Sequence, residues 1–203
     1  MTTSTRVNTL LVDELMNTEG KAEIINGKVM TFLPTGRKPT QATGRIHTAL
    51  LSYADATGRG EAITINAGFL CNLPNRNSFS PDAAFYTGPD NPDDEMDFYP
   101  EAPVFAVEVR SKQAPPPQPS PASGRGRLRF EEDERAIHAK IADYFAAGAL
   151  VVWDVDLLNE EVIAKYSAPN AFTPQIFRRG EDADAQPALP DWKMPVDALF
   201  PRV

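Results

Sequence analysis

Cysteine is almost missing from this chain: Cys71 is the single one in 203 residues. One thiol forms no internal disulfide and cannot by itself assemble a thiolate zinc site. Long apolar runs are missing too, since none approaches the ~18 residues of a membrane span. The opening Met1-Thr2-Thr3-Ser4-Thr5-Arg6-Val7-Asn8-Thr9-Leu10 lacks the apolar core of a secretory signal. No membrane association and a cytoplasmic location are therefore expected. Basic charge is in deficit, with 20 Lys and Arg against 28 Asp and Glu and a formal net charge of -8. Such a balance argues at first sight against a non-specific nucleic-acid binder, because phosphate contact needs Lys and Arg.

What is present is ordinary for a globular protein, at 42% hydrophobic and 24% charged residues. The length predicts a single domain over 1–203 with enough chain for a substantial core. The negative charge is not evenly spread. Residues 82–108 hold Asp82, Asp90, Asp93, Asp94, Glu95, Asp97, Glu101 and Glu108 and no base, whereas residues 110–129 hold Arg110, Lys112, Arg125, Arg127 and Arg129 and no acid. The acidic total therefore leaves a nucleic-acid substrate open. Proline is in excess, 19 residues in all, and five of them fall within 115–121. A tract of that kind cannot enter a sheet or helix interior and buries little surface. Residues 114–130 are thus expected to form an exposed, disordered Pro/Arg-rich loop, and its arginines a candidate basic arm.

Around that tract the pattern is mixed. Leu10, Leu11, Glu14 and Leu15 fit a helical period. Glu23-Ile24-Ile25-Asn26-Gly27-Lys28-Val29-Met30 sets Asn-Gly between apolar stretches, the signal of a two-residue hairpin. Residues 40–57 read as a helix stopped by Gly58. Ile63, Ile65, Ala67 and Phe69 alternate like a half-buried strand. Short apolar runs at 83–86 and 104–109 predict two strands, and those at 150–153 and 162–166 a further hairpin. In 131–148, Ile137, Ile141, Tyr144, Phe145 and Gly148 share a narrow helical arc, with acids at its start. The Pro-rich tail is expected to wrap the core. The fold class is α/β or mixed α+β.

Chemistry gathers on a few of these elements. Asp82 opens one predicted strand. Glu108 lies on the next and shares a face with Val104 and Ala106 at a period of two. A carboxylate on an apolar strand is expensive unless paired or liganded. Two carboxylates side by side repel each other, and a hard divalent cation removes that repulsion, so the pair is a candidate Mg²⁺ site. Bound Mg²⁺ polarises a phosphodiester and activates water. A cation is needed for the developing negative charge. Lys112 and Lys140 are both candidates, the latter at the margin of the buried stripe of the 131–148 helix. Taken singly, each residue has a plainer reading: Asp82 as a turn cap, Glu108 as a solvent-facing edge acid, Lys140 as a surface lysine, Glu23 as a strand opener. The combination is what points to a site.

That combination resembles the PD-(D/E)XK nuclease superfamily and, within it, the bacterial Uma-type "putative restriction endonuclease" family, formerly a domain of unknown function. The hairpin residues Glu23-Ile24-Ile25-Asn26-Gly27-Lys28 are similar to the family's Glu-Leu-Ile-Asp-Gly-Glu. Ser80-Pro81-Asp82-Ala83-Ala84-Phe85 is similar to its Pro-Asp strand, and Val107-Glu108-Val109-Arg110-Ser111 to its Val-Glu-Val-x-Ser strand. Residues 140–148, followed by Val151-Val152-Trp153-Asp154-Val155-Asp156, resemble its Lys-x-x-x-Tyr-x-x-x-Gly-Val helix and Trp-x-Val-Asp strand. Leu189-Pro190, Trp192 and Met194-Pro195-Val196 resemble its close. The resemblance implies a restriction-endonuclease-like core, a mixed central sheet flanked by helices with an N-terminal hairpin. It implies Asp82 and Glu108 as Mg²⁺ ligands (Mn²⁺ being an alternative), Glu23 as an accessory acid near the metal, and Lys140 rather than Lys112 as the catalytic lysine. Position 110 is Arg, so a literal Glu-x-Lys is missing, as a lysine relocated to the following helix allows. The chain departs from the family at Lys28, often an acid there, and at Thr40 and Gln41, where the family often carries a His. The implied function is a Mg²⁺-dependent DNA endonuclease, working as a homodimer. A catalytically silent DNA- or protein-binding module and an RNA-directed nuclease are the alternatives.

Overall fold

The computed structural model of the protein describes residues 8–89, 97–111, 125–170 and 172–201. Among these described residues, three α-helices, α1 (Thr9–Met16), α2 (Arg37–Thr57) and α3 (Arg125–Ala146), stand with twelve short strands. These are β1 (Ala22–Ile25), β2 (Lys28–Thr31), β3 (Glu61–Ile63), β4 (Phe69–Leu70), β5 (Ser78–Phe79), β6 (Ala83–Tyr86), β7 (Phe105–Val109), β8 (Val151–Val155), β9 (Ile163–Ser167), β10 (Gln175–Phe177), β11 (Asp182–Asp184) and β12 (Lys193–Pro195). Six of them form the central sheet, in the order β10-β9-β8-β7-β6-β3. Neighbours run antiparallel except β7 and β8, which are parallel. A parallel pair needs a crossover, and α3 lies on the connection that supplies it. The expected mixed sheet flanked by helices is therefore present.

The hairpin forms where Asn-Gly predicts it. Ile25 pairs with Lys28, and Asn26 and Gly27 take φ values of 50° and 69° between them. Those left-handed values are what a two-residue type I′ turn needs, and Asn and Gly adopt them at least cost. After α2, Gly60 is required sterically: at φ 62° a Cβ there would stand 2.2 Å from the carbonyl oxygen of Tyr86. This close approach brings β3 alongside β6.

Each face of the sheet has its own core. On one, Phe85, Phe105, Val107 and Trp153 pack against Ile46 and Leu50 of α2 and against Leu189, Trp192 and Val196 of the tail. The indole N–H of Trp153 donates to the Asp184 carbonyl at 3.1 Å, so the tail wraps the core as expected. On the other, Ala84, Ala106 and Val152 lie with Ile141 and Tyr144 of α3 and with Phe69 and Phe79. Burying each large apolar side chain contributes about 1.5–3 kcal/mol. Glu108, two residues beyond Ala106, faces this second layer.

Two expectations need correction. The alternation over 63–69 does not make one strand: β3 ends at Ile63, Asn66 turns at φ 71°, Ile65 is 38% exposed, and Phe69 begins a separate strand paired with Phe79. Pairing with a new partner outweighed the local pattern. The 131–148 helix starts earlier, at Arg125, so residues 125–130 belong to α3 and not to a loop. Their Arg, Leu and Phe are acceptable helix formers, while Gly126 costs only about 1 kcal/mol. The rest of the expected loop, from 114 to 124, lies outside the described residues.

Candidate active site

The sheet register sets the two strand acids side by side. Ala83 pairs with Val107, and one step further the Asp82 amide donates to the Val107 carbonyl at 2.9 Å. Asp82 and Glu108 thus project together toward the α3 layer, 6% and 8% exposed. The Val109 amide donates to Asp82 Oδ2 at 2.7 Å, so the end of β7 orients the carboxylate of its neighbour.

Helix α3 brings the cation. Ile141 and Tyr144 anchor its buried stripe, and Lys140 sits at the margin of that stripe, as its helical position predicts. Its Nζ lies 2.7 Å from Glu108 Oε1 and 2.7 Å from Glu23 Oε1. The Tyr144 hydroxyl donates to the same Glu108 oxygen at 2.7 Å, and its ring stacks on Phe79 with centroids 4.1 Å apart. Asp82, Glu108, Lys140 and Glu23, the four residues the sequence singled out, are therefore brought together.

Glu23 arrives from the hairpin. It is fully buried, and Oε1 also accepts from the Ser80 amide at 3.0 Å. Its Oε2 accepts from Arg76 Nη1, while Arg76 Nε donates to Asp143 Oδ2 at 2.9 Å. Both Glu23 oxygens are thus engaged by donors, and it stands behind Lys140 as the anion that holds the ammonium in place. Burial alone would raise the Glu23 pKa, but Lys140 and Arg76 beside it bring it below the ordinary carboxylate value. Burial dominates at Glu108 and pushes its pKa up, against the attraction of Lys140 and Lys21. Burial works against charge on Lys140 too, yet the two carboxylates hold its ammonium protonated above the ordinary lysine range.

Three participants escaped the sequence reading. Lys21 Nζ lies 2.7 Å from Asp82 Oδ1. The only signal for it is spacing, since Lys21 and Glu23 alternate at a strand period. Arg76 carried no signal beyond the general need of a buried acid for a cation. Tyr144 was legible as core, but its hydroxyl bond to Glu108 was not. Arg110, which stands where a Glu-x-Lys motif has lysine, turns away and pairs with Asp154 at 2.6 Å and with Glu134. Lys112 lies outside the described residues. Cys71 takes no part in this cluster, and burial pushes its thiol pKa up to about 12.

The donor set fits a hard divalent cation. Among the described residues, Glu108 Oε2 accepts no hydrogen bond. Also among them, no group of three or more His, Cys, Asp or Glu is arranged to hold a metal. Two adjacent carboxylates without nitrogen or sulfur donors suit Mg²⁺, which binds through one or two carboxylates with water and substrate phosphate completing its shell.

A mixed sheet thus carries an acid at each of two adjacent strands, with a helix-borne lysine between Glu108 and the hairpin's Glu23. The family model described as "Putative restriction endonuclease", Uma2, matches residues 9–197, and the chain belongs to that family. The crystal structure of a putative nuclease belonging to DUF820 from Anabaena variabilis has a similar fold. Its TM-score is 0.66 at 15% identity, covering 94% of this chain and 97% of that one. No curated protein matches the chain. Among the described residues, no helix is long and apolar enough to cross a membrane.

Proposed function

We propose that this chain is a Mg²⁺-dependent DNA endonuclease that hydrolyses phosphodiester bonds. The observation that carries this reading is the position of Lys140 Nζ, 2.7 Å from Glu108 and from Glu23, with Asp82 on the strand next to Glu108. Asp82 and Glu108 would hold the ion, which supplies Lewis acidity and a nucleophilic water when bound. Val109 and Tyr144 orient the two carboxylates through their hydrogen bonds. Lys140, kept charged by Glu23 and Glu108, directs its remaining donor at the attacking water or at the phosphate oxygen that gains charge. Glu23, fixed by Arg76 and Ser80, keeps that ammonium from following the substrate out. Cutting both strands of a duplex calls for two such sites, which a homodimer provides. The lone, buried Cys71 suits a reducing cytoplasm.

The test is conversion of supercoiled plasmid with Mg²⁺ or Mn²⁺ and with EDTA. Cleavage that requires the ion and disappears in Asp82→Ala supports the reading, and cleavage unaffected by Asp82→Ala overturns the residue assignment. A parallel RNA substrate separates DNA from RNA preference. One observation favours the second reading, a catalytically silent binding module: both Asp82 oxygens already accept hydrogen bonds, from Lys21 and from Val109. Calorimetry showing no uptake at millimolar Mg²⁺ would favour that module.

A further inference from the structure

We propose that Lys21 is a second active-site cation, a ligand for a substrate phosphate that rests on Asp82 until metal and nucleic acid arrive; this rests on the metal-nuclease reading above. Three acids meet at the site, Glu23, Asp82 and Glu108, with Asp143 beside them, and three cations answer them, Lys21, Arg76 and Lys140. The cations are not held equally. Arg76 is clamped between Glu23 and Asp143, and Lys140 bridges Glu23 and Glu108. Among the described residues, Lys21 meets a single acid, through one contact of 2.7 Å to Asp82 Oδ1. It is therefore the cation released at least cost.

The other Asp82 oxygen belongs to the sheet, because its partner is the backbone amide of Val109. Lys21 competes with a divalent ion for Asp82 Oδ1. An ion held by Asp82 and Glu108 also repels the nearest ammonium, and Lys21 is the nearest to Asp82. The displaced group has somewhere to go. Its side chain is 17% exposed, against 12% for Lys140. Gly20 and Ala22, its chain neighbours, line an open cleft of about 270 Å³ together with Thr18, Ser80 and Phe98. A lysine is a compact charge with three donors on a flexible four-carbon stem, so it can leave a carboxylate for a phosphate within the same reach. A phosphate seated at the ion returns the anion that Lys21 has lost.

The experiment measures Mn²⁺ affinity by calorimetry for the full chain and for Lys21→Gln, Lys21→Arg and Asp82→Ala. Gln can still donate to Asp82, so the fold has a substitute for the lost contact, and thermal melting checks it. Removing the competing charge is expected to tighten Mn²⁺ binding by about fivefold to tenfold in Lys21→Gln, while Lys21→Arg stays near the parent. Binding of a labelled DNA duplex with Ca²⁺ is followed by anisotropy over a range of salt. The slope of log K against log salt is expected to fall by about one phosphate contact in Lys21→Gln and to be restored in Lys21→Arg. Unchanged Mn²⁺ affinity, or an unchanged salt slope, in a folded Lys21→Gln protein overturns the proposal while Asp82-dependent metal binding keeps the nuclease reading. Absence of Mn²⁺ binding by the parent protein overturns both.

Discussion

The Lys140 ammonium and the Glu23 carboxylate, from α3 and from the N-terminal hairpin, meet at 2.7 Å inside the protein. This contact ties the hairpin to the helix and aims the ammonium at Glu108. Removing one partner of a buried pair strands the other as an unpaired buried charge, which costs about 3–5 kcal/mol. Glu23→Gln is therefore expected to lower the melting temperature and to reduce cleavage while leaving metal uptake measurable by calorimetry. Retained metal binding separates the positioning role of Glu23 from a ligand role, and its loss would return Glu23 to the metal.

Lys140→Met is expected to reduce plasmid cleavage by about 10²–10³-fold, the effect of losing one donor aimed at developing charge. Single-turnover rates at saturating Mn²⁺ check it. A rate within threefold of the parent would remove Lys140 from the chemistry.

Stability should fall on the alkaline side. Lys140 is held protonated above its ordinary 10.5 by Glu108 and Glu23, against its burial. Its contribution is complete below that value and is lost as pH rises through the folded-state pKa. Burial, with Glu108 and Glu23 next, holds Tyr144 well above its ordinary 10.0, so the unfolded chain gives up that proton first and unfolding gains above pH 10. Urea midpoints between pH 8 and 11 are expected to decline above 10. Tyr144→Phe, which keeps the ring stacked on Phe79, should make that decline shallower.

Ser80 Oγ is buried and has no hydrogen-bond partner among the described residues, although the Ser80 amide serves Glu23. Deleting an unsatisfied buried hydroxyl removes a desolvation penalty. Ser80→Ala is expected to hold or raise stability by up to about 1 kcal/mol, read as a denaturant midpoint. A clear loss of stability would mean that the hydroxyl has a partner in solution.

Replacing Arg125, Arg127 and Arg129 together by Gln tests the basic stretch at the start of α3. If these residues contact DNA, the salt slope of binding falls by about two to three phosphates while cleavage at low salt persists. An unchanged slope removes the arm.

Much of this architecture was legible because its causes are local. Asn26-Gly27 dictates a tight turn wherever it stands between apolar runs, and the stripe of Ile137, Ile141 and Tyr144 dictates one buried helix face. The strands at β6 and β7 were visible as short apolar runs, the first preceded by Asp82 and the second interrupted by Glu108, and an acid among aliphatics is itself a sign of a site. The expected strand over 63–69 failed because alternation reports a half-buried face but not a partner. Phe69 found Phe79, and the chain broke at Asn66 to reach it. The early start of α3 is masked by the neighbouring prolines and by Gly126, although Arg125, Arg127, Leu128 and Arg129 are good helix formers.

By itself the sequence determined the N-terminal hairpin, most of the central strands and the buried helix face, and it singled out the two strand acids and, through family resemblance, Lys140 as candidates. Only the tertiary structure decided the charge pairing. It placed Lys21 on Asp82, clamped Arg76 between Glu23 and Asp143, and turned Arg110 away to Asp154. The reason is that a buried carboxylate requires a cation but is indifferent to where in the chain that cation comes from. Local patterning acts over one or two turns or strand residues. The partner of a buried charge is chosen by whichever elements the core packs together.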